Sequence, residues 1–114
     1  RLMKVLDVFV QFGLAHPEMF ELMFLTKHTS ARRFPTDFKA RRSPTANLAV
    51  ETIKEGMQRG EFRQDDPWEV VFEFGAMAQG FVMLYFGGRI DATPSEFRKL
   101  CSRAFRRHLH GICV

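Results

Sequence analysis

Two cysteines, one tyrosine and one tryptophan are all this sequence has of three residue types. Cys101 and Cys113 form no CxxC motif and lie near one end, which excludes a disulfide scaffold and makes a reducing cytoplasm the default. No signal peptide precedes the first apolar helix. No run alternates apolar and polar residues, so no strand is expected. There is no glycine-rich phosphate loop, because Gly87-Gly88 ends a helix rather than following a strand. Ser30, Ser43, Ser95 and Ser102 have no nucleophile context, and Asp65-Asp66 reads as a turn and helix cap. In "HLHGIC" the side chains of His108 and His110 leave a helix on different sides. With Cys113 they give three candidate metal ligands and no fourth. The sequence thus argues against an enzyme and names no cofactor and no metal.

Phenylalanine stands out instead, at 13 of 114 residues, accompanied by six methionines. The length fits one domain, and the balance of 46% apolar to 26% charged residues is that of an ordinary globular chain. Phenylalanine is rigid and methionine adaptable, so the mixture suits either a plain Phe-rich core or a deformable cavity. A net charge of +4 favours acidic partners without establishing nucleic-acid binding. The chain begins at Arg1, in the middle of a helical pattern, and reads as part of a longer protein.

Proline punctuates the pattern. Leu2, Val5, Leu6, Phe9 and Phe12 recur at helical spacing up to His16, where Pro17 must end the helix and can start another. Ser43-Pro44, Asp66-Pro67 and Thr93-Pro94 open three more helices, the last two with a glutamate placed for a capping box. Residues 26–43 form an irregular basic stretch that Phe34 and Phe38 could tack down; a solvated loop and an acidic-partner patch both fit it. The fold class is all-α, with about five to six helices.

The helix "EVVFEFGAMAQGFVMLYFGG" has almost no polar face. A membrane span is argued against by its length, Glu73 and the glycines, so the chain predicts no membrane partner. A helix apolar all round is buried all round, and few elements are at hand to surround it. One side is therefore expected on the domain and the other on a second copy. Ala76 and Gly80, four apart, permit close approach, with Met83 one turn on. The last helix offers the stripe Phe97, Leu100, Cys101, Ala104 and Phe105 to the same four-helix dimer bundle. Its other side carries Arg98, Lys99, Arg103, Arg106 and Arg107.

"FVQFGLAHPEMFELMF" resembles the start of the C-terminal domain of TetR-family transcriptional regulators, where a helix leads into a phrase like "EHPELYRLMF". "IKEGMQRGEFRQDDPWEV" is similar to the family's helix, turn and Asp-Pro helix start. "MAQGFVMLYFGG" sits where many members carry a His-Gly step; here Gln79 replaces that histidine. The resemblance covers residues 1 to about 110. It implies that residues 1–114 are the effector-binding and dimerisation domain of a repressor, a homodimer whose last two long helices pair. Operator DNA would be bound by an N-terminal helix-turn-helix outside this chain. A small apolar effector is implied, with Phe9, Phe12, Phe20, Met23, Met57 and Met77 as candidate lining and Gln79 as the polar contact. His16 belongs either to that lining or simply to a helix C-terminus. A ligand-free helical interaction module is the other reading of the same residues.

Overall fold

Proline sets the helix starts: Pro17, Pro44, Pro67 and Pro94 each stand at the first position of a helix, where a missing N–H costs nothing. A computed structural model describes residues 2–25, 33–41 and 43–114. Its elements are α1 (Leu2–Ala15), α2 (Pro17–Phe20) running into a π-helical turn (Glu21–Leu25), α3 (Thr36–Lys39), α4 (Pro44–Gln58), α5 (Pro67–Phe86) and α6 (Pro94–Ile112). The all-α expectation holds, with no strand among the described residues. The short helix α3 falls in the stretch expected to be irregular, of which residues 26–32 and 42 lie outside the described ones.

Local chemistry closes the helix ends. At α6 the full capping box forms: Glu96 N–H donates to Thr93 Oγ1 at 3.2 Å and Thr93 N–H to Glu96 Oε1 at 2.9 Å. At α5 the cap is the bond from Trp68 N–H to Asp66 Oδ1, 2.9 Å. Both α4 and α5 stop in a left-handed glycine. Gly60 (φ 75°) and Gly88 (φ 72°) let Glu61 and Arg89 donate back to Gly56 and Leu84, the Schellman arrangement. After Gly60 the chain is tied to the end of α6. Phe62 bridges Cys113 in antiparallel fashion, Arg63 N–H donates to Ile112 O at 2.8 Å, and Val114 N–H to Glu61 O at 3.1 Å.

The core is built around α5, which packs against α1, α4 and α6. Val70, Val71, Phe74, Ala78 and Val82 of α5 are buried there. They meet Leu2, Leu6 and Val10 of α1, Val50, Ile53 and Met57 of α4, and Phe97, Cys101 and Phe105 of α6. Phe97, Cys101 and Phe105 were expected at a dimer interface. At 0%, 1% and 1% exposure they belong to the domain's own core, because α1 and α5 already cover that stripe. Burial, reinforced by the Asp7 charge, pushes the Cys101 thiol up to about 11, far from reactive thiolate chemistry. Helix α5 is 20 residues long, so length alone does not exclude a bilayer span; its one packed face marks it as the central helix of this domain.

Gly13 sets the distance between α1 and α5: a Cβ there would stand 2.8 Å from Val82 Cγ1. A bidentate pair joins α1 to α6, Arg98 Nε and Nη2 donating to Asp7 Oδ1 and Oδ2 at 3.2 and 3.0 Å. That guanidinium holds the Asp7 carboxyl below the usual carboxylate range.

Two measurements check this packing. Gly13→Ala should destabilise by about 1–2 kcal/mol through overpacking, whereas Gly75→Ala, where a Cβ meets nothing within 4 Å, should gain roughly 0.5–1 kcal/mol; urea unfolding separates them. Because the Asp7 pKa is depressed on folding, its stabilisation is present above the unfolded value near 4 and is lost as pH falls through the folded one. Asp7→Asn should therefore lower the melting temperature at pH 7 and show a shallower loss below about pH 4.

Candidate functional site

The His16-Pro17 break has a geometric result. His16 takes φ −133° and ψ 64° and makes no side-chain cap, and the chain turns back beside α1. Helix α1 carries two apolar stripes. Leu2, Leu6, Val10 and Gly13 face the core, while Val5, Val8, Phe9 and Phe12, also spaced i, i+3, i+4, i+7, face a trough of about 940 Å³. Met23 of the π turn and Pro44, Thr45 and Leu48 from the start of α4 complete its walls, and among the described residues Lys4 is the one charged side chain on its lining.

The trough lies within the size range of small-molecule sites and is lined almost wholly by apolar groups. Its walls are bare: Val8, Met23 and Leu48 are 58%, 50% and 51% exposed. Aromatic rings support it from below, Phe9 edge-on to the buried Phe20 at 5.9 Å and Phe20 edge-on to Phe86 at 6.2 Å. A π turn widens the helix by one residue and commonly marks a functional position; here it carries Met23 into the lining.

Of the residues expected to line a cavity, the structure brings Phe9, Phe12 and Met23 together in the trough. Phe20 stands behind them. His16 is exposed, its ring 5.5 Å from that of Phe12. Met57 is a core residue at 7% exposure. Met77 and Gln79 are half-buried on α5 and do not line the trough, because the cavity opens between α1 and α4 rather than against the middle of α5. Lys4, Val5, Val8, Pro44, Thr45 and Leu48 were missed as lining residues. The second apolar stripe on α1 was the signal that could have found Val5 and Val8.

A second apolar surface runs along the outside of α5. Phe72, Met83 and Leu84 are 41%, 50% and 45% exposed, Ala76 is exposed, and Gly80 is half-buried with nothing within 4 Å of a Cβ. Ala76, Gly80 and Met83, expected at a dimer interface, share this surface. Leu100 and Ala104 are half-buried on α6. They stand on the flank opposite Arg98, and Arg98 reaches α1, so they are turned away from α1. Phe34 stacks on Phe72 at 4.3 Å and Phe38 meets it edge-on at 5.8 Å, which fixes α3 to one end of the surface, as the two phenylalanines suggested.

The described histidines stand apart from one another. His108 Nε2 lies 3.1 Å from Glu73 Oε1, its ring edge-on to Phe74 at 4.8 Å, while His110 is exposed. Among the described residues no three potential ligands gather around a common point.

No curated protein and no solved structure matches the chain. A family model does, over residues 2–110; it describes a tetracyclin repressor-like C-terminal domain. The match spans every helix but the last residues of α6, including the α1–α4 trough and the bare face of α5. A helical domain with those two apolar surfaces accords with that family, and the chain belongs to it: it is a TetR-like C-terminal domain, the regulatory kind.

Proposed function

We propose that this chain is the effector-sensing and dimerisation domain of a cytoplasmic transcriptional repressor, taking a small apolar ligand in the trough between α1 and α4. Bare apolar lining around a cavity of about 940 Å³ carries the reading. Exposing such walls to water is unfavourable, and a ligand that covers them recovers that free energy. DNA binding would rest with a helix-turn-helix outside these residues, since base-edge readout needs an element that enters a groove.

The route from ligand to DNA follows from what α1 touches. Its trough stripe and its core stripe are about a quarter-turn apart on one helix. A ligand pressing on Val8 and Phe12 therefore loads the packing of Leu6, Val10 and Gly13 on α5 and α6. With Gly13 seated against Val82, α1 can shift only by rotation or sliding along α5. A ligand that fits one of those positions better selects it.

Dimerisation through α5 accounts for the second surface. Ala76 and Gly80 permit close helix approach, Met83 fills the next turn, and Leu100 and Ala104 of α6 extend the face. A constitutive module without a ligand would use the same face and leave the trough idle.

Three outcomes test this. Light scattering at micromolar concentration should give a dimer, and Gly80→Arg a monomer or insoluble protein; a monomer from the unmodified chain rejects the interface. A thermal-shift screen of apolar compounds should find ligands that raise the melting temperature by on the order of 10 °C at a hundredfold excess over the dissociation constant. Val8→Asp should abolish those shifts. If no compound in a broad apolar library shifts the unmodified chain, the ligand-free module is the better account. Electrophoretic mobility shifts with this chain alone should show only salt-sensitive, sequence-independent DNA binding.

A further inference from the structure

Lys4 lines more than the apolar trough. It also borders a second groove, of about 630 Å³, on the other side of α1, where that helix faces α6. Asp7, Arg98, Lys99, Arg103 and Arg106 supply the remaining charge of this groove. Asp7 offers no free negative charge to it. Both its oxygens are taken by Arg98, at 3.2 and 3.0 Å, and Gln11 Nε2 adds a bond of 2.7 Å to Oδ2. The pair is neutral as a unit.

Lys4, Lys99, Arg103 and Arg106 are left, and among the described residues none of them makes a salt bridge. Lys99, Arg103 and Arg106 follow one another along α6 at intervals of four and three residues, a run of about 10 Å. Glu96, one turn before Lys99, offsets part of its charge, but like charges held this close still repel one another and favour an anion between them. The apolar volume and the field of these cations meet at Lys4. A lysine stem can lie along apolar surface with its ammonium in water, and Lys4, exposed and bordering both spaces, is placed to offer its charge to either.

Resting on the reading of the trough as the effector site, we infer that the effector is an anionic amphiphile. Its apolar body lies against Val8, Phe12 and Leu48, and its carboxylate, sulfate or phosphate head is held by Lys4 on the side of the α6 cations. A neutral apolar compound gains only the burial. An anionic head gains the charge-assisted contact as well, and a cationic head is repelled by the same field. Such a ligand also has the leverage the regulatory reading needs: its body wedges between α1 and α4 while its head draws α1 toward α6.

Isothermal titration of the whole chain with decanoate, decyl phosphate, decanol and decyltrimethylammonium, each below its micelle-forming concentration, tests the inference. Decanoate and decyl phosphate should bind at least tenfold tighter than decanol, with the ammonium compound weakest, and the preference should shrink with added salt. Lys4→Gln should bring the anionic probes down to the affinity of decanol, with an unchanged circular dichroism spectrum. Decanol binding as tightly as decanoate, or a preference that survives Lys4→Gln, overturns the anionic head and leaves an apolar effector standing. No binding by any probe removes the trough as an effector site together with this inference. Equimolar phosphatidylglycerol–phosphatidylcholine vesicles form a final arm: vesicle binding without binding of the monomeric anionic probes overturns the inference in favour of a membrane surface.

Discussion

One constraint organises this domain: a helix that is apolar on all sides must find cover on all sides. The domain is a slab whose Cα atoms extend 40 × 34 × 17 Å, and 17 Å leaves room for about two helix layers at the usual spacing of 8–10 Å. Helices α1, α4 and α6 cover one side of α5, burying Val70, Val71, Phe74, Ala78 and Val82. On the other side Phe34 and Phe38 reach Phe72 at one end, while among the described residues Ala76 and Met83 stay exposed. A further layer is needed to cover that face, and the self-association proposed above would remove it from water.

The trough has a different origin. It exists because α1 spends one apolar stripe on the core and keeps a second for the space beside α4. Proline makes the arrangement possible by ending α1 at His16, and the π turn then brings Met23 up to the α1–α4 space. The two surfaces are linked through α1, which touches the trough with one stripe and α5 and α6 with the other.

Helix positions were legible in the sequence because local chemistry fixes them. Proline at the first position, the Thr93/Glu96 capping box and the stop at Gly87-Gly88 act within a few residues and need no tertiary partner. The family resemblance was legible for the same reason, its phrases being helix ends and corners. The lining of the candidate site was legible in part. Phe9, Phe12 and Met23 lie together in the trough, but Met57 and Phe20 turned inward, since composition reveals that large apolar residues are plentiful and not which of them a neighbouring helix covers. Phe97, Cys101 and Phe105 show the same limit. The α6 stripe was visible, but whether its own domain or a second copy would claim it depends on where α1 and α5 lie. Lys4 went unnoticed because a lone lysine between apolar stripes is unremarkable until the spaces on both sides of it are seen.

The short antiparallel tie between residues 61–63 and 112–114 has a mechanical consequence. Its two backbone hydrogen bonds anchor the end of α6 to the turn after α4. Near its other end Phe97 is fully buried and Arg98 is tied to Asp7 in the middle of α1. Helix α6 is therefore a rod of about 27 Å held at both ends. A displacement of α1 at Asp7 is passed along that rod to the turn after α4, without a loop in between to absorb it.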